Sequence, residues 1–88
     1  MEVEFPDIIQ VISSMQTANT KFITVKRLRK ILRIESENGK MIRKLSNTLV
    51  WLEHFGFLDV EQKKSPKRYR ILPDFSTKTR DIVRIYRR

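Results

Sequence analysis

The stretch that most constrains the fold is residues 39–58, GKMIRKLSNTLVWLEHFGFL, whose apolar and polar side chains separate onto two faces of one helix. Its apolar residues recur at helical spacing and predict a stripe that faces a core: Ile42, Leu45, Leu49 and Leu52. The opposite face is cationic and polar, with two more residues at its margin: Lys40, Arg43, Asn47 and His54, then Lys44 and Trp51. Phe55-Gly56 should end this helix, because glycine readily takes the left-handed conformation that follows a helix.

Exposed cationic and amide side chains on a helix suit the major groove of DNA. Arginine and lysine match the O6 and N7 acceptors of guanine, and asparagine matches N6 and N7 of adenine. An ordinary solvated amphipathic helix is the alternative interpretation of the same pattern. The charge of the rest of the chain favours the first interpretation.

The positive charge of the chain is strongly segregated. The formal net charge is +9, yet residues 1–20 contain no lysine or arginine. All nineteen lysines and arginines lie in residues 21–88, against seven acids, which gives this part a net charge of +12. A surface that only maintains solubility would mix the two signs more evenly. We therefore expect a polyanionic partner, and nucleic acid before an anionic lipid surface.

The composition narrows the function classes. Eighty-eight residues make one small domain. The chain has no cysteine and a single histidine, so neither a disulfide nor a metal site is expected, and His54 is interpreted as a solvated side chain. It has no glycine-rich phosphate loop, and Glu35 and Glu37 fall in a polar turn, so neither a cofactor nor enzymatic activity is expected. Because no long apolar run or signal-peptide pattern occurs, we expect a cytoplasmic, nucleoid-associated protein.

A first helix is predicted from Pro6 and Asp7, which both suit a first helical turn. Its apolar stripe is Ile8, Val11, Ile12 and Met15, with Ile9 beside it. Because this helix carries few charges, it is interpreted as scaffold or as a dimer face.

Residues 21–24 include aromatic and β-branched side chains and predict a brief strand or an extended link. Thr24 can then cap a second helix over residues 25–33. The apolar side of this helix is Val25, Leu28 and Leu32, with Ile31. Its other side is cationic: Lys26, Arg27, Arg29, Lys30 and Arg33. In the polar connector of residues 34–39, Asn38 can cap the third helix.

After Gly56 the apolar period changes from helical to alternating, which predicts a β-hairpin. A four-residue loop of residues 63–66 sets the register. The predicted inward pairs are Leu58 with Ile71 and Val60 with Tyr69, and the outward pairs are Asp59 with Arg70 and Glu61 with Arg68. Apolar and opposite-charge pairs thus agree on the two faces. The loop region carries Lys63, Lys64 and Lys67.

Pro73-Asp74 should break the second strand, and residues 75–88 predict a terminal helix capped by Asp74 or Ser76. Its apolar stripe is Phe75, Thr79, Ile82 and Tyr86. A strand is the alternative, because β-forming residues recur here. The stripe either packs on the first helix or pairs two subunits, with the second favoured.

The predicted elements, in this order, resemble an α+β winged helix-turn-helix DNA-binding domain of the kind found in small archaeal and viral transcription regulators. Residues 1–72 would form this domain, and residues 73–88 a helical C-terminal extension that serves dimerisation or DNA contact. The cations of this extension suit solvent or phosphate: Lys78, Arg80, Arg84, Arg87 and Arg88. The resemblance is carried by two leucines three apart, an acid, a glycine and apolar residues that lead into the wing: Leu49, Leu52, Glu53, Gly56, Phe57 and Leu58. Two features depart from the family pattern. The turn of residues 33–39 is longer and more acidic than usual, and the bulky Trp51 predicts packing against the tail or another chain.

The resemblance implies a transcription regulator that binds double-stranded DNA sequence-specifically, with the third helix in the major groove. The implied base contacts are Lys40, Arg43, Lys44 and Asn47, with Arg43 and Asn47 as the base-reading pair. The implied phosphate contacts are Lys26, Arg29, Lys30 and Ser46. The wing would meet the backbone or minor groove through Lys63, Lys64, Lys67 and Arg68.

Other function classes remain open. A protein-docking winged helix within a larger assembly would need an exposed apolar patch, for which Val50 and Trp51 are the candidates. Non-specific architectural DNA binding would lack base readout. RNA binding is disfavoured, because the wing's one aromatic residue, Tyr69, is assigned to the inner face. A homodimer through the first helix and/or residues 75–88 would use the apolar stripe of the tail.

Overall fold

A computed structural model of the chain describes residues 3–64 and 66–88. In this part the chain forms four α-helices and one three-stranded antiparallel sheet, which confirms the small α+β class. The elements in chain order are α1 (Phe5–Thr17), β1 (Phe22–Ile23), α2 (Val25–Ile31), α3 (Gly39–His54), β2 (Leu58–Gln62), β3 (Arg68–Ile71) and, after one 3-10 turn (Phe75–Lys78), α4 (Thr79–Tyr86).

Both predicted caps of the central helices are confirmed. The Thr24 hydroxyl oxygen accepts from the Arg27 backbone N–H at 3.1 Å, and the Asn38 side-chain oxygen accepts from the Met41 N–H at 3.2 Å. Each bond satisfies a backbone donor that the first helical turn leaves free. The predicted cap of the tail helix is wrong, because neither Asp74 nor Ser76 caps it with a side chain, and α4 continues directly from the 3-10 turn.

The central helices end in left-handed residues. After α3, the Gly56 N–H donates to the Glu53 carbonyl at 3.0 Å and the Phe57 N–H donates to the Leu52 carbonyl at 2.8 Å, with Gly56 at φ +80°. This pair of bonds satisfies two carbonyls that would otherwise lack partners at the helix end. The end predicted at Phe55-Gly56 is therefore confirmed.

The second helix is shorter than predicted. It ends at Ile31 rather than Arg33, because Arg33 takes φ +57° and turns the chain. The Ile34 N–H then donates to the Arg29 carbonyl at 3.0 Å, and Ile34 becomes buried. The predicted inward position of Ile31 is wrong, since this residue is 46% exposed.

Strand β3 lies in the middle of the sheet, between β1 and β2. The strand predicted at residues 21–24 is confirmed as β1, in which Ile23 is fully buried and pairs with Tyr69. This pairing ties the connection between the first two helices to the hairpin.

The hairpin register is confirmed for three of the predicted pairs: Leu58 with Ile71, Asp59 with Arg70, and Val60 with Tyr69. Beyond Val60 the strand bulges, so Gln62 rather than Glu61 stands opposite Arg68. The connection is therefore one residue longer than predicted and runs over residues 63–67, of which Ser65 lies outside the described residues. The Gln62 side-chain amide donates to the Pro66 carbonyl at 2.9 Å and draws the loop together.

All layers share one apolar core. Helix α3 buries Leu45, Leu49 and Leu52 completely, as predicted, while Met41 rather than Ile42 completes the buried stripe. The buried apolar residues are Val3, Phe5, Ile8, Ile9, Ile12, Met15, Ile23, Leu28, Ile34, Met41, Leu45, Leu49, Leu52, Leu58, Tyr69, Ile71, Phe75 and Ile82.

The tail is helical, as predicted, and packs on α1 within the same chain. Phe75 and Ile82 are buried in the common core. The Ser76 N–H donates to the Gln16 side-chain oxygen at 2.9 Å, and the Gln16 side-chain amide donates to the Leu72 carbonyl at 2.6 Å. The apolar stripe of the tail is thus used inside the chain, which is the first of the two predicted alternatives.

An aromatic cluster joins the tail to α1 and α3. The Tyr86 ring stacks on Phe5 with 3.7 Å between centroids, and Trp51 meets both rings edge-on at 5.5 Å and 5.4 Å. The predicted packing of Trp51 against the tail is confirmed.

We expect Gly56→Ala to lower the free energy of unfolding by about 1 kcal/mol, because alanine is strained at a left-handed position even though no atom obstructs its Cβ. For a domain of this size the melting temperature should fall by about 4–8 °C in calorimetry. Gly39→Ala is the matched control, since its Cβ also meets open space but its helical backbone suits alanine. A melting temperature unchanged by Gly56→Ala would contradict this explanation.

Candidate nucleic-acid interface

The exposed ridge of α3 lies opposite its buried stripe. Arg43, Asn47, Val50 and His54 are all exposed and follow one another along this ridge. Lys40 is exposed beside them, and Lys44 is partly buried at the margin. Since the buried leucines fix the rotation of the helix, the ridge presents a guanidinium and an amide side by side on its first half.

The predicted base-contacting residues line one groove between α3 and the end of α4, which we call the tail-side groove. It has a volume of about 350 Å³. Its lining is Lys40, Met41, Arg43, Lys44, Asn47, Thr48, Trp51 and Tyr86. The structure therefore brings Lys40, Arg43, Lys44 and Asn47 together, as predicted from their spacing on one helix.

A second groove runs along the other flank of α3, toward α2 and the hairpin loop, and we call it the loop-side groove. It has a volume of about 440 Å³. Its lining is Thr24, Val25, Lys26, Arg29, Ile42, Ser46, Pro66 and Lys67. Three predicted phosphate contacts, Lys26, Arg29 and Ser46, thus meet one predicted wing contact, Lys67. The other predicted residues are exposed and line neither groove: Lys30, Lys63, Lys64 and Arg68.

Two cations that line the grooves, Arg29 and Lys44, contact neighbouring oxygen atoms. The Arg29 Nη1 group donates to the Ile34 carbonyl at 2.9 Å, which fixes the guanidinium near the end of α2. The other N–H donors of this guanidinium do not take part in that bond. The Lys44 ammonium lies 3.6 Å from the Glu4 carboxylate, and the two side chains are 32% and 64% exposed. Such an exposed pair contributes little to stability and can yield to a stronger anion.

In the hairpin, Lys67 and Arg68 have different environments. The Lys67 ammonium lies 5.5 Å from the centroid of the buried Tyr69 ring, where a cation is attracted by the ring face. Arg68 instead donates from Nε to Glu61 at 2.7 Å, and its guanidinium carbon lies 5.2 Å from the Phe22 ring. The charge of Arg68 is therefore already balanced, whereas Lys67 faces the loop-side groove.

The Glu61–Arg68 bond also shifts titration. The hydrogen bond that Arg68 donates lowers the pKa of the Glu61 carboxyl below its ordinary value, and the same bond raises the pKa of Arg68. The Lys78 hydrogen bond likewise lowers the pKa of Asp74. Both carboxylates are solvent-exposed, so these ion pairs organise the surface rather than stabilise the core.

Tyr86 and Pro66 also line these grooves, and no sequence pattern predicts either position. Tyr86 was expected in the apolar stripe of the tail, yet it is 47% exposed and lines the tail-side groove. The apolar stripe of the tail predicts packing on the first helix or on a second subunit, and nothing in that stripe places Tyr86 beside α3. The bulk of Trp51 was the one signal that pointed to this contact.

In residues 3–64 and 66–88, no three histidine, aspartate or glutamate side chains come together in a way that could hold a metal ion. No described helix is both long and apolar enough to cross a membrane. Comparisons with protein-family models, with characterised proteins and with solved structures find no match to this chain.

We predict that Arg68→Gln raises the pKa of the Glu61 carboxyl toward its ordinary value, because the hydrogen bond that favours the ionised form is lost. A carboxyl-carbon NMR titration measures this directly. The neighbouring Lys67→Gln is the control and should leave the Glu61 titration where it is. A Glu61 pKa unaffected by Arg68→Gln would mean that the pair does not persist in solution. Since the folded pKa is lowered, any stabilisation from this pair should be present near neutral pH and be lost as the pH falls through the folded pKa.

Proposed function

We propose that this chain is a winged helix-turn-helix domain that binds double-stranded DNA sequence-specifically and acts as a transcription regulator. The observation that carries the proposal is the tail-side groove. Four cationic or amide side chains of α3 line this groove together: Lys40, Arg43, Lys44 and Asn47. The order of helices and strands, with β1 added to the edge of the hairpin, is compatible with a winged helix.

In the proposed complex α3 enters the major groove. Its sixteen residues span about 24 Å at the usual helical rise, and a major groove admits one helix. Arg43 would pair with guanine and Asn47 with adenine, and each good bidentate contact discriminates against a wrong base by about 1–3 kcal/mol. Lys40 and Lys44 flank this pair on the tail side.

Phosphate contacts would lie mainly around the loop-side groove. Lys26, Arg29, Ser46 and Lys67 line it and could hold one backbone strand. Lys30, Lys63 and Lys64 are exposed and would extend the contact to neighbouring phosphates. Arg68 would contribute least, because Glu61 already balances its charge. We propose a binding function without catalysis or a cofactor.

A protein-docking role within a larger assembly is the second candidate, since apolar side chains are exposed on the second half of α3. Val50 is 43% exposed and Phe55 is 48% exposed. Trp51 is partly buried among aromatic rings and is less available than predicted. If the chain docks a protein, Val50→Ser and Phe55→Ser should weaken binding to that protein partner, whereas Arg43→Ala should leave this binding unchanged.

A homodimer through helix 1 and/or residues 75–88 remains a separate proposal. Because Phe75 and Ile82 are buried within the chain, such a dimer would have to use exposed groups such as Tyr86. Sedimentation of the wild-type chain tests it, and a single-copy mass would exclude it.

We predict that the affinity for duplex DNA falls steeply with salt. If roughly five to nine phosphates are neutralised, the slope of log affinity against log salt concentration should be about −4 to −8, because counterions are released from the DNA. Fluorescence anisotropy with a labelled duplex at several salt concentrations gives this slope. A slope near zero would remove the electrostatic basis of the proposal.

We also predict that Arg43→Ala and Lys64→Ala have different effects. Arg43→Ala should flatten sequence preference, because it removes a base contact, whereas Lys64→Ala should weaken all sequences alike. Selection from a random duplex pool, carried out with both variants and the wild-type chain, separates the two effects. Equal loss of preference from both would contradict the assigned roles, and no enriched sequence with the wild-type chain would favour architectural binding or protein docking.

A further inference from the structure

A surface groove of about 570 Å³ runs along the line where α4 packs on α1. Its α4 wall carries three arginines that recur at i, i+4 and i+7: Arg80, Arg84 and Arg87. Its α1 wall is neutral and consists of Pro6, Ile9 and Gln10. Among the residues that the structure describes, the lining therefore holds three guanidinium groups and no carboxylate.

The positive charge of this wall is poorly balanced. Arg84 reaches only Asp81, at 3.9 Å, and both of these side chains are more than 60% exposed. Among the described residues, neither Arg80 nor Arg87 forms an ion pair. Like charges at i, i+4 destabilise a helix by tenths of a kcal/mol, and an eight-residue helix has little stability of its own. A bound anion would relieve this repulsion.

The arginine wall continues into the proposed DNA-binding surface. Val83 and Arg87 also line a neighbouring groove, of about 330 Å³, together with Lys44 and Tyr86. Lys44 and Tyr86 in turn line the tail-side groove beside Arg43. One carboxylate, that of Glu4, lies along this path, and it pairs with Lys44. Positive groups thus follow one another from α3 to the outer wall of α4.

We propose that Arg80, Arg84 and Arg87 bind the phosphate backbone of the same duplex that α3 contacts, beside the segment that α3 reads. This inference rests on the proposed function. Arginine offers a planar fork of donors that matches phosphate oxygens. The three side chains span about 10 Å along α4 and its C-cap, a length that can meet more than one phosphate of one strand. No aromatic ring of the described residues lines this groove, which argues against stacking of unpaired bases.

The test compares two double variants with the same change in charge. R80Q/R87Q removes the two arginines that lack ion pairs and leaves the Arg84–Asp81 pair in place. The control R27Q/R33Q removes two exposed arginines of α2 and its end that line none of the grooves between α1, α3 and α4. With a 30-base-pair duplex, R80Q/R87Q should weaken binding about tenfold and reduce the magnitude of the salt slope by about 2, because two phosphate contacts are lost. The control should change the slope by less than half as much.

Equal losses from both double variants would overturn the inference, because net charge alone would then account for them. An unchanged slope for R80Q/R87Q, with sequence preference still lost in Arg43→Ala, would overturn this inference and leave the proposed function standing. A wild-type chain that binds no duplex would overturn both.

If R80Q/R87Q melts at a lower temperature than the wild-type chain, a loss of binding could come from lost stability. The position of α4 on the duplex is then measured directly by DNA cleavage. Since the chain has no cysteine, Arg88→Cys gives a unique attachment site for an iron chelate that cleaves DNA nearby. Cuts should fall in the duplex just outside the segment protected around the selected sequence. A chelate attached through Thr17→Cys, at the exposed C-terminal end of α1, serves as the control. No cuts from position 88, or the same cuts from both positions, would overturn the inference.

Discussion

Leu45, Leu49 and Leu52 are fully buried on one side of α3, and their burial fixes the rotation of this helix about its axis. Each buried leucine side chain contributes about 1.5–3 kcal/mol. A rotation that exposed all three would thus cost about as much as the whole net stability of a small domain. The caps at both ends of α3 and the turn at Gly56 limit sliding along the axis. The polar side of α3 therefore has one possible orientation, outward.

Two acids of the chain lie where cations would otherwise crowd the sheet. Asp59 lies 2.6 Å from Arg70 and Glu61 lies 2.7 Å from Arg68, both on the outer face of the hairpin. These pairs neutralise the sheet and leave the net positive charge on α2, α3, the hairpin loop and α4. The segregation of charge seen along the sequence thus becomes a segregation between surfaces. A polyanion would be drawn toward the helices rather than toward the sheet.

Local sequence patterns predicted those features that depend only on residues near one another in the chain. Alternating apolar residues and opposite charges gave the register of Leu58 with Ile71, and an amide before an amphipathic run gave the cap at Asn38. Features that depend on tertiary context were missed. The bulge before Gln62 and the left-handed turn at Arg33 have no signal in residue type, because neither position holds glycine. The tail was predictable in part, since its apolar stripe left two partners open, the first helix and a second subunit, and the structure shows packing on α1. The side of α3 that lines the tail-side groove did not depend on tertiary context. Its residues are spaced so that one helix places them together, and they were therefore predictable.

The central claim is that the exposed ridge of α3 is the surface that meets DNA, and an NMR titration with a selected duplex tests it most directly. Backbone amide shifts measured on a uniformly labelled chain locate the contact without altering any side chain. The largest changes should fall at Lys40, Arg43, Lys44 and Asn47, with a second group around Lys26 and Lys67. Changes concentrated on the outer face of the hairpin, at Asp59 and Arg70, with the ridge unaffected, would contradict the account.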